Sequence, residues 1–199
     1  MQNSKPFSQA CENNKQPILD VIRSVFTHPG LILEIGSGTG QHAVHFTTSL
    51  HHLTWQPSDH PSNAELCQAR IQEANLPNML PPLTLDVSSA PWPLAGFDGA
   101  FSANTAHIMG WPDVKAMFRG VAAGLKPNQS FCLYGPFCYN GVHTSESNQQ
   151  FDLHLRNQAE HMGIRDVNDL EGLASAVDLT LAEDFNMPAN NRLLVWRKQ

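Results

Sequence analysis

Strand-like and helix-like patterns of hydrophobic residues alternate along almost the whole chain. Short apolar runs typical of buried strands occur at 31–35, 53–58, 83–85, 97–103 and 130–134. Between them apolar residues recur at helical spacing, and the clearest set is Val114, Met117, Phe118, Val121, Ala122 and Leu125. This alternation predicts an α/β fold with a mostly parallel, doubly wound sheet.

The two ends of the chain extend this pattern. An apolar helical face at 18–26 follows Pro17, which suits the first position of a helix, so we expect residues 1–30 to form a helical leader. A capping-box pattern at Ser62 to Glu65 predicts a helix over 62–74. Further helices are expected at 41–50 and 168–177, and a C-terminal antiparallel hairpin from strands at 179–185 and 192–197. The expected whole is one domain over 1–199 with a seven-stranded sheet.

Composition narrows the class of protein. The chain has 199 residues, 41% of them hydrophobic, and a formal net charge of −6 without a run of Lys or Arg, so nucleic acid is not expected as a partner. The four cysteines show neither C-x-x-C pairing nor the density of a disulfide framework. No stretch of about 18 apolar residues and no apolar leader occurs. We therefore expect a cytoplasmic protein without a membrane segment; the sequence does not indicate its oligomeric state.

Residues 33–40 read Leu-Glu-Ile-Gly-Ser-Gly-Thr-Gly, a buried strand that runs into three glycines at alternate positions. Such glycines let the backbone turn tightly and approach a ligand closely. A nicotinamide dinucleotide loop usually reads G-x-G-x-x-G, but the third glycine is replaced here by Gln41. An acid two positions before G-x-G-x-G resembles instead motif I of class I S-adenosylmethionine (SAM)-dependent methyltransferases. The resemblance implies SAM as the cofactor and S-adenosylhomocysteine (SAH) as its product.

Acidic residues at the ends of the next strands support a SAM pocket. Asp59 is placed to accept from the ribose hydroxyls and Asp86 from the adenine amine, with Val87 beside the ring. Taken singly, either acid is as readily explained as a helix cap or turn residue. The predicted cofactor-binding residues are Glu34, Gly36, Ser37, Gly38, Gly40, Gln41, Asp59, Asp86, Val87 and Asn104.

The fourth strand ends in Asn104-Thr105-Ala106-His107, near which the reacting atom of the substrate usually lies in this superfamily. His107 is the best candidate for a general base or a substrate-orienting group, although a buried structural histidine is almost as plausible. Asn104 and Tyr134 complete the catalytic candidates. The segment is not the N/D-P-P-Y/F signature of methyltransferases that act on planar amino groups.

A polar segment at 136–165 is longer than a minimal strand–helix connection, and we expect it to form a lid over the substrate, the alternative being a surface excursion with one short helix. The polar run at 11–15 could fold over the cofactor mouth or be a solvated leader. The substrate-side and lid candidates are Glu12, Asn13, Asn140, His143, Asn148, Asp152 and Arg156. His42 and His45 are spaced i, i+3 on a predicted helix, but no further ligand joins them, so no metal site is expected.

Several segments resemble one uncharacterised methyltransferase-like family, a domain of unknown function within class I. They include Glu12 to Leu19, Leu33 to Phe46, Leu53 to Asp59, Leu133 to Phe137, Gly163 to Asp166 and Met187 to Asn191. The resemblance covers nearly the whole chain and implies the class I fold and SAM binding, without a substrate. Met162 stands where the family carries a tryptophan.

Three functions fit these observations. The leading hypothesis is a SAM-dependent methyltransferase that acts on a small molecule, because the core fold takes up almost all of the chain and leaves no separate recognition domain. The second is a SAM-binding regulatory or scaffold protein without catalysis. The third, an NAD(P)-dependent oxidoreductase, is disfavoured by Gln41.

Overall fold

The computed structural model describes residues 5–63 and 65–199. Residues 1–4 of the predicted leader lie outside that range. Within it the elements are, in chain order, α1 (Gln9–Val25), β1 (Gly30–Ile35), α2 (Gln41–Ser49), β2 (Leu53–Asp59), α3 (Gln68–Ala74), β3 (Leu83–Thr84), β4 (Phe97–Ala103), α4 (Trp111–Gly124), β5 (Leu125–Gly135), β6 (Phe137–Tyr139), β7 (Val142–His143), α5 (Glu146–Gln158), β8 (Arg165–Asp166), α6 (Val167–Ser175), β9 (Leu179–Met187) and β10 (Asn191–Lys198).

Seven strands form one sheet in the order β3-β2-β1-β4-β5-β10-β9. The first five are parallel, while β10 inserts antiparallel between β5 and β9. This arrangement confirms the predicted α/β class, its seven-stranded sheet and its C-terminal antiparallel hairpin. A second, three-stranded sheet of β7, β6 and β8 lies within the segment that was predicted to be a lid.

Both faces of the large sheet are covered, as expected where parallel strands are buried. Alternate residues of β5 point to opposite faces, so Phe131 packs with α4 and α6 while Cys132 packs with α1 and α2. On the latter face Phe46, Phe101 and Trp55 form an edge-packed aromatic group, with the ring centroid of Phe46 5.3 Å from that of Phe101. This packing fixes the strand ends from which the site is built. No helix within the described residues is both long and apolar enough to cross a membrane.

The first helix begins eight residues earlier than predicted. Ser8 caps α1 by accepting from the backbone N–H of Cys11, and Pro17 lies inside the helix rather than at its start. The polar run at 11–15 is therefore part of a helix and not a solvated leader. Its polar side chains are used in contacts with α2, which explains why an apolar pattern did not reveal them.

The third helix begins later than predicted, at Gln68 instead of residue 62. The predicted capping box includes Ala64, which lies outside the described residues. The hydroxyl of Ser62 is engaged locally, 2.8 Å from Nδ1 of His60, and Asn63 forms a turn with His60. A local hydrogen bond of this kind competes with the helical cap that the sequence suggested.

Gly120 of α4 and Gly172 of α6 show how tightly the face of the sheet that carries Phe131 is packed. A Cβ at Gly120 of α4 would lie 2.1 Å from ring atoms of Trp92, whereas a Cβ at Gly172 of α6 would meet nothing within 4 Å. We expect Gly120→Ala to destabilise the protein by about 1–3 kcal/mol through overpacking. The matched change Gly172→Ala should stabilise it by about 0.5–1 kcal/mol, as alanine does in an open helix. Urea unfolding measures both, and an equal gain for the two variants would contradict this packing.

Candidate functional site

A large cleft opens where β1, β2 and β4 end, with a volume of about 940 Å³. It is lined by the glycine loop after β1, by the residues that follow β2, β3 and β4, and by parts of α1, α5 and the C-terminal hairpin. Ligands of open α/β sheets bind at this edge. The structure thus brings residues from most of the predicted strand ends to one cavity.

The glycine loop is held by hydrogen bonds to the end of β2. The backbone N–H groups of Gly36 and Ser37 both donate to the carbonyl of Ser58, at 2.9 Å each. The hydroxyl of Ser37 accepts from the N–H of Ser58 and donates to Glu34. Gly36 has a φ of +76°, and a Cβ there would lie 2.5 Å from Cγ2 of Thr105, so both its conformation and its surroundings require glycine.

Asp59 and Asp86 line the cleft as predicted by their places after β2 and β3. One carboxylate oxygen of Asp59 accepts from the N–H of Gly38 at 2.6 Å and the other from that of His60 at 2.8 Å. Asp86 accepts from the backbone and hydroxyl of Ser88, and these hydrogen bonds hold its pKa below the usual value. Both acids therefore stabilise local turns and also face the cavity.

Some of the other predicted cofactor-binding residues line the cleft, and the rest lie behind the residues that line it. Ser37, Gly36, Gly38, Val87 and Asn104 line it, whereas Glu34, Gly40 and Gln41 do not. The Glu34 carboxyl is fully buried, where it accepts from Trp55 Nε1 at 3.0 Å and from Ser37 at 2.9 Å. Burial raises its pKa to about 7. Glu34 therefore supports the loop from beneath, and its role in binding a cofactor stays a prediction.

Gln41 connects the loop to α1. Its side-chain oxygen accepts from the N–H of Ser8 at 2.7 Å and from the hydroxyl of Thr39, and its amide donates to Glu12 at 3.0 Å. Glu12 is thereby turned away from the cleft, and Asn13 is exposed on the outer side of α1. The residues of α1 and its cap that do line the cleft are Ser8, Ala10 and Cys11, and sequence reasoning missed them because it placed the helix start at Pro17.

His107 lines the cleft and is buried, with its ring edge-on to Phe151 at a centroid distance of 5.5 Å. Burial, and then the positive charge of Arg165, lowers the pKa of His107 to about 4. The imidazole is therefore neutral at physiological pH and able to accept a proton.

Arg165 fixes the loop that carries His107. Its guanidinium donates to the carbonyls of Ala106, Met109 and His161, the first at 2.9 Å. The N–H of Gly163 also donates to the carbonyl of His107 at 2.9 Å. Arg165 was not among the predicted site residues, although the Gly163 to Asp166 segment of the family resemblance had already drawn attention to this stretch.

The remaining catalytic candidates differ in placement. Asn104 faces the cleft from a left-handed backbone conformation, with φ of +57°. Tyr134 does not line it: the side chain is buried in the apolar cluster that also contains Ile18 and Leu19 of α1. Since β5 alternates between the two faces of the sheet, Tyr134 points to the α1 face and supports that packing instead of facing a substrate.

The predicted lid residues separate into three places. Asn148 and Phe151 of α5 line the cleft. His143, Asp152 and Arg156 line a second cavity of about 430 Å³ behind it. Asp152 there accepts from Arg156 at 2.8 Å and from the N–H of Ile164 at 2.6 Å. Asn140 lies outside both cavities, where it accepts from Asn168.

The histidines on α2 contact α1. His42 Nε2 lies 2.6 Å from the side-chain oxygen of Asn14, and burial lowers its pKa to about 4. His45 lies 3.2 Å from Gln16. Among residues 5–63 and 65–199 no group of three or more His, Cys, Asp or Glu is arranged to hold a metal ion.

The buried carboxyl of Glu34 gives a prediction for pH. Because its pKa rises from an ordinary value of 4.5 to about 7 on folding, the folded state binds the extra proton between these values. This contribution to stability is complete below pH 4.5 and is lost as pH rises through 7, a change of about 3 kcal/mol. Glu34→Gln should remove it, so that urea unfolding at pH 5 and pH 8 shows the wild type losing more stability than the variant.

The change Glu171→Gln at an exposed position of α6 controls for the loss of one acid. An identical pH response of the wild type and Glu34→Gln would show that Glu34 is already ionised in the folded protein at pH 5.

The contact between Arg165 and the His107 loop gives a second prediction. Arg165→Met removes a positive charge beside His107, so the pKa of the imidazole should rise towards its usual value. Arg165→Lys keeps the charge and should leave the pKa low, although it breaks the multiple contacts of the guanidinium. Titration of the His107 Cε1–H signal by NMR measures both. If the pKa of His107 were unchanged in Arg165→Met, the charge of Arg165 would not be a cause of the low pKa of His107.

Solved structures with a similar fold are O-methyltransferases and related enzymes. An O-methyltransferase family protein from Burkholderia thailandensis superposes with a TM-score of 0.81 at 15% identity, over 96% of this chain and 57% of that one. Mitomycin 7-O-methyltransferase MmcR gives 0.80 at 17% identity, over 94% and 54%. Human N-acetylserotonin methyltransferase in complex with SAM gives 0.79 at 16% identity, over 96% and 53%.

These likenesses show the Rossmann-like methyltransferase fold, and this chain spans just over half the length of each of those structures. At the level of sequence, the model of one family, described as "Protein of unknown function (DUF938)", matches residues 5–198. The chain belongs to that family.

Proposed function

We propose that this protein is a SAM-dependent methyltransferase that acts on a small molecule. The observation that carries the proposal is the meeting, in one cleft, of the glycine loop, Asp59, Asp86 and His107. The glycine loop, Asp59 and Asp86 lie at the ends of the successive strands β1, β2 and β3, and His107, whose imidazole is neutral, follows β4. The similar fold of several solved methyltransferases supports it.

The residues present fit SAM. The backbone N–H groups at the start of α2 suit its carboxylate, because the first turn of a helix leaves such groups unpaired. Asp59 would accept from the ribose hydroxyls, and Asp86 from the adenine amine, with Val87 beside the ring. The side-chain amide of Asn104 has no partner within the described residues and faces the cleft, so it is free to bond a ligand.

In methyl transfer from SAM, the main contribution of the protein is to position the cofactor and the acceptor. SAM supplies a methyl group bound to a sulfonium sulfur. The neutral thioether that remains after transfer, SAH, is a good leaving group. The loop and the strand-end acids would hold the cofactor, and the walls of the cleft would align the acceptor and exclude water. His107 would take the proton that the acceptor loses, since its imidazole is neutral.

The segment 136–165 would serve as the acceptor-side lid of the single domain. Of its residues, Pro136, Ser147, Asn148 and Phe151 face the cleft. The backbone N–H of Gly163 donates to the carbonyl of His107, and Arg165 donates to that of Ala106, so the segment is tied to the loop after β4. Asn148 is positioned by its amide, which donates to the carbonyl of Asn190 at 2.9 Å. In this proposal Asp152 and Arg156 hold the lid together and do not touch the acceptor.

Ligand-induced stabilisation tests the cofactor. SAM or SAH at about 100 times its Kd should add about 2.7 kcal/mol to the stability, which corresponds to a rise in Tm of roughly 5–10 °C. NAD should give no shift, because Gln41 takes the position of the third glycine. No shift with SAM or SAH would remove the proposal, whereas a shift without any transfer to a broad acceptor panel would favour the non-catalytic alternative.

The variant Asp59→Asn sharpens this test. Asparagine keeps an oxygen that can accept from Gly38 but loses the charge that strengthens bonds from the ribose hydroxyls, so SAM should bind about tenfold more weakly. Asp20→Asn, on the exposed side of α1, is the matched control and should bind SAM like the wild type. Isothermal titration measures both, and unchanged affinity in Asp59→Asn would remove Asp59 from the ribose contact.

A further inference from the structure

Resting on the proposed function, we propose that the methyl acceptor is an uncharged, largely apolar molecule, bound at the mouth of the cleft against Ile108 and Phe151. Its attacking atom would belong to a weakly acidic group such as a phenol hydroxyl or a thiol. The charges that line the cleft, its exposed apolar mouth and the state of His107 support this class of acceptor.

Among the described residues, the side chains that line the cleft include acids but no lysine or arginine. The acids there are Asp59, Asp86 and Asp113, and the histidines are His42, His60 and His107. His42 and His107 are neutral near pH 7 because burial lowers their pKa to about 4. A carboxylate or phosphate entering this cleft would lose its hydration and meet carboxylates without a Lys or Arg to pair with, and the sulfonium of bound SAM would be left as the cation facing it. Anionic acceptors are therefore disfavoured.

Arginines do lie nearby, but they are used elsewhere. Arg156 pairs with Asp152, and Arg165 donates to backbone carbonyls. Both line the second cavity and neither lines the cleft. The packing of the segment 136–165 therefore keeps these two arginines out of the lining of the cleft.

The mouth of the cleft exposes apolar side chains. Ile108 is 46% exposed and Phe151 37% exposed, and both line the cleft together with Met109 and Pro136. Ligand pockets combine such apolar walls with a few placed polar groups. The free amide of Asn104 supplies one of these, so the acceptor is expected to carry few polar atoms.

A cationic acceptor is disfavoured by the reaction itself. The acceptor must approach a sulfonium, which repels a second positive charge, and a protonated amine has no electron pair to attack with. In the reaction the lone pair of the acceptor forms the bond to the methyl carbon, and the electrons of the broken C–S bond pass to sulfur to give SAH. The proton of the acceptor passes to His107 and from there to water.

The low basicity of His107 narrows the acceptor further. An imidazole that has a lowered pKa accepts a proton well only from a comparatively acidic group. Phenols and thiols meet this requirement better than aliphatic alcohols do. An acceptor of this kind is also uncharged when it binds and loses its proton as the methyl group arrives.

Two probes of one shape test the inference on protein saturated with SAH: 2-naphthol and 2-naphthoate. Isothermal titration should show 2-naphthol binding at least tenfold more tightly than 2-naphthoate. Equal or tighter binding of the carboxylate would overturn the proposal. Binding of SAH is measured first. If SAH does not bind, the proposed function is contradicted. If SAH binds but 2-naphthol does not bind more tightly than the charged probe, only this inference is contradicted.

Two pairs of variants locate the probe. Phe151→Ser should weaken 2-naphthol binding about tenfold, whereas Leu153→Ser should not, because Leu153 is 52% exposed on the same helix but does not line the cleft. Ile108→Lys should bring 2-naphthoate to within threefold of 2-naphthol. Val142→Lys, which adds the same charge at a position 67% exposed outside the cleft, should not. Equal effects within either pair would place the probe elsewhere and overturn the proposal.

Discussion

The hydrogen bonds between the ends of β1 and β2 determine where everything else in the cleft lies. Ser58 supplies its carbonyl to two N–H groups of the glycine loop, its N–H to Ser37 and its hydroxyl to the carbonyl of Glu34 at 2.6 Å. The loop is therefore fixed to the second strand as firmly as to the first. Only with the loop in this position does the carboxylate of Asp59 reach the N–H of Gly38.

The buried ionisable groups of the site differ in charge from the acids at the strand ends. Glu34 beneath the loop, His42 on α2 and His107 at the acceptor end all have a pKa shifted towards the neutral form, because each is removed from water. The acids Asp59 and Asp86 instead stand at strand ends, where backbone N–H groups stabilise their charge. In the proposed function, the two acids would face the cofactor and the neutral imidazole of His107 would face the acceptor.

The sequence predicted what depends on local pattern and missed what depends on distant contacts. The strands of the large sheet, Asp59 at the end of β2 and Asp86 after β3 follow from apolar runs and from the residue that ends each run, whereas the order of the strands across the sheet was not predicted. Spacing could place Gln41 and Tyr134 near the site, but it could not tell that their side chains turn towards α1. The contacts of Arg165 with the loop at 106–109 cross more than 50 residues of chain, so no local signal could predict them.

The link between α1 and the glycine loop through Gln41 affects how natural variants of this protein should be interpreted. A substitution at Glu12 would be counted, by position, as a change in a helix remote from the motif. Its carboxylate nevertheless accepts from the side-chain amide of Gln41, at the first position of α2. Because polar contacts are directional, they resist the small sliding that apolar packing would absorb. Variation at Glu12 should therefore be grouped with variation in the motif itself when homologous sequences are compared.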